Sequence, residues 1–116
     1  MTYERACALA DIHEDEALGV VIGPQSLAVA RYGDEVFAVE DVCSHAAVPL
    51  SEGEVDECTV ECWLHGSRFD LRTGKPTGLP ATEPVATFPV EVRANADGTT
   101  DVYVDITHTL NGVTPQ

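Results

Sequence analysis

Two short stretches hold the side chains with the most chemistry: Cys43-Ser44-His45 and Cys62-Trp63-Leu64-His65, with sixteen residues between His45 and Cys62. Thiolate sulfur and imidazole nitrogen are metal ligands, and here they arrive as mixed Cys/His pairs. A [2Fe–2S] centre can take two thiolates on one iron and two imidazoles on the other, which is the donor set these residues offer. Two ferric ions and two sulfides carry a double positive charge that two thiolates cancel, whereas four thiolates overshoot. An electron enters the neutral site more readily, so exchanging two cysteines for histidines raises the reduction potential. Each pair spans so few residues that one tight loop can present both ligands to the same group.

The same four residues have other uses. Zinc also accepts two thiolates and two imidazoles, although zinc fingers pair Cys with Cys and His with His, unlike this chain. A disulfide between Cys43 and Cys62 is a further option, and it leaves both histidines without a role. Of the other two cysteines, Cys7 reads as a small buried apolar residue in a strand. Cys58 reads as a partly exposed thiol in a reducing compartment, with a substitute ligand role as its alternative. His13 and His108 lie outside the motif and read as exposed bystanders.

Short strands separated by turns must position these loops, because no segment carries a sustained 3.6-residue period. Strands are expected over Tyr3 to Leu9 and Gly19 to Ile22, around an acidic connector with room for one helical turn. Gly23-Pro24 and Gly33-Asp34 turn the chain into Ser26 to Tyr32 and then Val36 to Val39. The first ligand loop follows, stiffened by Pro49. A connector, Ser51 to Glu57, leads to a strand over Thr59 to Glu61, the second ligand loop, and a brief strand over Arg68 to Leu71. Gly53 and Gly66 read as suppliers of permissive backbone angles. Gly78 to Ala81 forms a third loop. Alternation then marks two strands, Thr87 to Arg93 and Asp101 to Ile106, with Pro89 putting the former at a sheet edge. The pattern is all-β, a sandwich or barrel.

At 116 residues the chain fits a single domain. Its formal net charge is −14, from 20 acidic against 6 basic residues, which disfavours nucleic acid and anionic membranes as partners. No run approaches the ~18 apolar residues of a membrane span. The first residues, Met1-Thr2-Tyr3-Glu4-Arg5, lack the pattern of a signal peptide, so a cytoplasmic location is expected.

The pattern C-x-H-x16-C-x-x-H followed by Gly66-Ser67 resembles the Rieske family, and the run Cys62 to Lys75 resembles its soluble ferredoxins in particular. The resemblance covers about Tyr3 to Ile106. It implies a β-sandwich with a small cluster-binding subdomain built from two ligand loops. It implies that Cys43 and Cys62 hold the inner iron of one [2Fe–2S] cluster and His45 and His65 the outer iron, under a third loop at Gly78 to Ala81. The Rieske domain is expected over 1–107, with ligand loops at about 41–50 and 62–70 and a flexible tail over 108–116.

The high-potential branch of that family braces its ligand loops with a disulfide. Ala47 (or nearby Ala46) and Leu64 stand at those positions here, and Phe69 replaces a tyrosine that bonds to a ligand sulfur. Ser67 keeps the place of a potential-raising serine. The low end of a range of roughly −150 to +300 mV is therefore expected.

Function follows as an expectation. The chain would be a one-electron carrier and not an enzyme, passing electrons from a flavin-containing reductase to a terminal non-haem iron oxygenase. The electron would leave by way of His45 and His65, past a docking face of Ala46, Ala47, Val48, Trp63 and Leu64. Trp63 could instead pack within its own loop. Service to iron–sulfur cluster assembly, or a structural metal-binding module, are the alternatives.

Overall fold

The computed structural model describes residues 3–44, 48–64, 66–79 and 81–115. Three antiparallel sheets account for nearly all its regular structure. The first joins β1 (Tyr3–Ala8), β10 (Thr100–Asp105) and β9 (Val90–Ala94) in the order β1-β10-β9. The second joins β2 (Glu16–Ile22), β3 (Gln25–Tyr32), β4 (Glu35–Glu40) and β8 (Thr87–Phe88) in that order. The third, order β5-β6-β7, is a small sheet of Val55–Asp56, Thr59–Glu61 and Arg68–Asp70. Single 3₁₀ turns occupy Leu9–Asp11 and Leu50–Glu52; the former precedes the acidic connector of residues 11–16, sharing only Asp11 with it, and β2 already begins at Glu16. The all-β expectation holds.

The second sheet is the middle layer, and β3 shows why. Its four central residues, Leu27 to Ala30, are 0% exposed, so the strand is covered on both faces. Leu27 and Val29 join Cys7, Phe88, Val102 and Val104 in a core against the first sheet. Ala28 and Ala30 join Cys43, Val60, Cys62, Phe69 and Leu71 in a second core against the small sheet. The face with bulky side chains thus meets the large partner layer, and the alanine face lets the ligand-bearing lobe approach closely. Hairpins at Gly23 and Gly33, with φ of 55° and 60°, set this register by pairing Ile22 with Gln25 and Tyr32 with Glu35.

Two segments depart from the expectations. Thr87 to Arg93 is not one strand. β8 pairs with β4, the chain crosses at Pro89, and β9 pairs with β10 in the other layer. Proline has no ladder donor, so the break falls where a donor is missing, and both resulting strands are edge strands as expected. Ser51 to Glu57 is not a bare connector either, because it holds the 3₁₀ turn and β5. β5 turns into β6 through Glu57 and Cys58, with φ of 50° and 58°. These residues carry none of the Asn-Gly or Asp-Gly chemistry that announces such a turn.

Candidate metal centre

The first ligand loop leaves the end of β4. Glu40 bonds both ways with Ala86: its backbone N–H donates to the Ala86 carbonyl at 2.9 Å, and its carboxylate accepts from the Ala86 N–H at 2.9 Å. Asp41 then receives the Ser51 backbone N–H and hydroxyl, each at 2.7 Å, tying the start of the loop to the turn just beyond it. Gly19 on β2 leaves space for this tie, since a Cβ there would lie 3.0 Å from Ser51 Oγ and 3.3 Å from Asp41 Oδ2. Between these supports the Cys43 N–H donates to the Val48 carbonyl at 3.0 Å.

The second loop repeats the device. The Cys62 N–H donates to the Ser67 carbonyl at 2.6 Å, again five residues on, and the Gly66 N–H returns to the Cys62 carbonyl at 2.9 Å. Gly66 holds φ of 76° with nothing near its absent Cβ, so its part is the backbone angle expected of it. Gly53 is a correction. Its φ of −90° and ψ of 174° are open to any residue, and what demands glycine is proximity. A Cβ would lie 1.6 Å from the Glu61 carbonyl oxygen, on the peptide that leads into Cys62.

A third segment, from Ala81 to Ala86, ties the two loops together. The Ala81 N–H donates to Ser67 Oγ at 3.1 Å, while Ser44 Oγ donates to the Glu83 carbonyl at 2.6 Å. Ser67 is only 1% exposed. Because its oxygen accepts from Ala81, its hydroxyl hydrogen stays available for a second partner. Bonds to a shared segment thus do what a covalent bridge between the loops would do.

Cys43 and Cys62, at 1% and 0% exposure, lie in one apolar cluster with Val60, Phe69 and Leu71. All four cysteines are thiols, so no disulfide links Cys43 to Cys62. Two buried thiols at the mouths of matching loops suit the inner side of a cluster that needs two thiolates shielded from water. His45 and His65 lie outside the described residues, as do Ala46, Ala47 and Pro80. Both histidines fall within the spans that the two Cys N–H bonds close, 44–47 and 63–66. Among the described residues no group of three or more His, Cys, Asp and Glu gathers elsewhere into a metal site.

The remaining candidates sort clearly. Cys7 is buried in β1, where desolvation pushes its thiol pKa up. Cys58 sits at the turn end of β6, with φ of 58°, and Cys62 follows its other end. Cys58 packs against the same core as Cys43 and Cys62, and partial burial raises its thiol pKa too. His13 is exposed, and His108 is exposed with Nδ1 3.6 Å from Asp105 Oδ2. Phe69 is fully buried behind the second loop and brings no hydroxyl there. Trp63, Leu64 and Leu79 present apolar surface beside the loops, with Leu79 81% exposed. Among the described residues no helix is long and apolar enough to cross a membrane.

A model of the Rieske [2Fe–2S] domain matches residues 2–89, which span both ligand loops and the third segment. The chain belongs to the Rieske [2Fe–2S] family. Among Rieske proteins it is similar to the ferredoxin subunit of anthranilate 1,2-dioxygenase from Burkholderia cepacia. The two are 44% identical over 84% of this chain and 87% of that one. Its structure is similar to the ferredoxin of carbazole 1,9a-dioxygenase from Nocardioides aromaticivorans IC177, at a TM-score of 0.79 and 32% identity, covering 90% and 98% of the two chains. It also matches a chain in a complex of reduced oxygenase and oxidised ferredoxin of carbazole 1,9a-dioxygenase. That match has a TM-score of 0.75 and 36% identity over 89% and 92% of the two chains.

Proposed function

We propose that this Rieske protein is the ferredoxin component of a multicomponent oxygenase system, a one-electron carrier without substrate chemistry of its own, working in the cytoplasm. The observation that carries the reading is the pair of matching loops, each closed from its cysteine N–H and each enclosing one histidine of the motif. Cys43 and Cys62 would hold the inner iron of a [2Fe–2S] cluster, and His45 and His65 the outer iron. Such a cluster supplies one-electron redox chemistry when bound. The chain's own residues bury Cys43 and Cys62 and fix the loops through Ser44, Asp41 and Ser67.

A terminal oxygenase as acceptor fits the relatives' names and the surface, with a flavin-containing reductase as the proposed donor. Trp63, Leu64 and Leu79 offer a small apolar contact. Four of the six basic residues are paired with carboxylates (Arg5–Asp101, Arg68–Glu61, Arg72–Glu35 and Arg93–Glu91), which leaves the acidic excess facing outward. Glu52, Glu54, Asp56 and Glu57 are exposed along the ligand-bearing lobe. That charge suits brief docking on basic partner surfaces.

The test is metal and labile-sulfide analysis with electron paramagnetic resonance of dithionite-reduced protein. The same measurements are made on Cys43→Ser, Cys62→Ser, His45→Ala and His65→Ala. Each substitution should abolish or reshape the signal. Zinc without sulfide in the parent protein, or a histidine variant with an unchanged spectrum, would overturn the assignment. Stopped-flow transfer to candidate oxygenases, set against iron–sulfur assembly partners, then separates the two carrier roles.

A further inference from the structure

The segment after β10 was expected to be loose, yet it makes specific bonds. Asn111 Nδ2 donates to the Val85 carbonyl at 2.8 Å and the Thr73 carbonyl at 2.9 Å. Its Oδ1 accepts from the Thr87 N–H at 3.3 Å and the Val113 N–H at 3.2 Å. The Leu110 N–H adds a bond to the Thr87 carbonyl at 2.8 Å, and Val113 packs on the core. Both amide protons and the amide oxygen are thereby used, which a hydrophobic residue or an aspartate could not reproduce.

A second feature has been shaped to admit this side chain. Gly74 sits at φ of 76°, and a Cβ there would fall 2.7 Å from Asn111 Nδ2 and 2.2 Å from the Val85 carbonyl oxygen. The Val85 N–H donates to the Gly74 carbonyl at 2.8 Å, so Asn111 fills a notch between the turn after β7 and the third segment. That segment is the one whose Ala81 and Glu83 backbone groups hold Ser67 and Ser44 of the two ligand loops.

We infer that Asn111 is a positioning residue for the metal centre, fixing from the C-terminus the irregular segment of residues 81–86 that ties the ligand loops together. It lies beyond the residues 2–89 that match the family model. The inference rests on the cluster assignment above. Two amide donors hold the Val85 and Thr73 carbonyls, and through Ala81 and Glu83 the restraint reaches both loops.

Asn111→Ala and Asn111→Asp, the latter keeping the acceptor while losing both donors, should take up iron and labile sulfide in parental amounts. At a temperature well below melting, both should then release iron to a chelator about fivefold faster or more. Their reduced-state resonance lines should broaden or their midpoint shift. Val104→Ala, in the core on the far side of β3, serves as a control that lowers thermal stability while keeping the parental release rate and line shape. If Asn111→Ala does not fold, Asn111→Asp is read alone. Release no faster than in Val104→Ala, with parental line shape and midpoint, overturns the proposal. Failure of the cluster assignment is distinguishable, because then the parent protein itself holds no iron with sulfide.

Discussion

Substituting Gly53 by alanine is the sharpest probe of how the second ligand loop is held. The added Cβ would lie 1.6 Å from the Glu61 carbonyl oxygen and 2.8 Å from its carbon, against a closest tolerable approach of 3.0 Å. The groups must therefore separate by 3.0 − 1.6 = 1.4 Å at the least. Both sides are backbone, so no side chain can swing aside. One side is the turn closed by the Gly53 N–H to the Leu50 carbonyl at 3.0 Å; the other is the Glu61–Cys62 peptide. Overpacking a tight site usually costs 1–3 kcal/mol, and a clash of backbone on backbone belongs at about 3 kcal/mol. For a domain of this size that lowers the melting temperature by about 10 °C. Because Cys62 shares the displaced peptide, cluster content per chain should fall as well. Gly78→Ala is the control: nothing lies within 4 Å of its Cβ and its φ is not in the left-handed region, so stability should hold or rise slightly. Melting curves with iron and sulfide analysis decide it. Wild-type melting and loading in Gly53→Ala would refute the proximity argument.

Other outcomes follow from single contacts. Ser67→Ala removes the acceptor for the buried Ala81 N–H at a cost of about 1–3 kcal/mol. It should also lower the midpoint potential; a potentiometric titration matching the parent would show that the hydroxyl does not reach the centre. Arg72 donates two bonds to Glu35, at 2.6 and 2.8 Å, and holds that carboxyl below its ordinary value of 4.5. A lowered folded-state value stabilises the native protein above pH 4.5, and the benefit disappears as pH falls through the folded value. Glu35→Gln should therefore melt slightly lower than the parent at neutral pH, and the gap should close in acid; a gap constant with pH would exclude the linkage. Alkylation of loaded protein should mark half-exposed Cys58 first and speed up only in alkaline solution, because burial raises its thiol pKa. Mass mapping that finds Cys7 labelled before Cys58 would contradict the burial order.

The candidate ligands were legible as candidates because chemistry limits residue type and loop reach limits spacing, so Cys43, His45, Cys62 and His65 could be proposed without any strand being placed correctly. Strands with period-two patterning, such as Asp101 to Ile106, were legible for the same local reason: Val102 and Val104 do face one core. What could not be read depends on approach between distant segments. Gly53 looks like any turn glycine until the Glu61 carbonyl is brought against it. Asn111 sits in a polar, patternless terminus, and only the folded chain sets Thr73, Val85 and Thr87 around its amide. Leu27 to Ala30 reads as an undifferentiated apolar run, and the difference between its two faces has meaning only once both are covered.

That last arrangement makes β3 a party wall. The lobe that carries the candidate ligands has no foundation of its own: its floor is Ala28 and Ala30, whose opposite side is the ceiling of the other core. A fragment cut out around the two loops would expose the underside of that lobe to water, so the electron-carrying part cannot be detached and grafted elsewhere without the strand beneath it. Inserting one residue into β3 would exchange leucine and valine for alanine across the wall, disturbing both rooms at once.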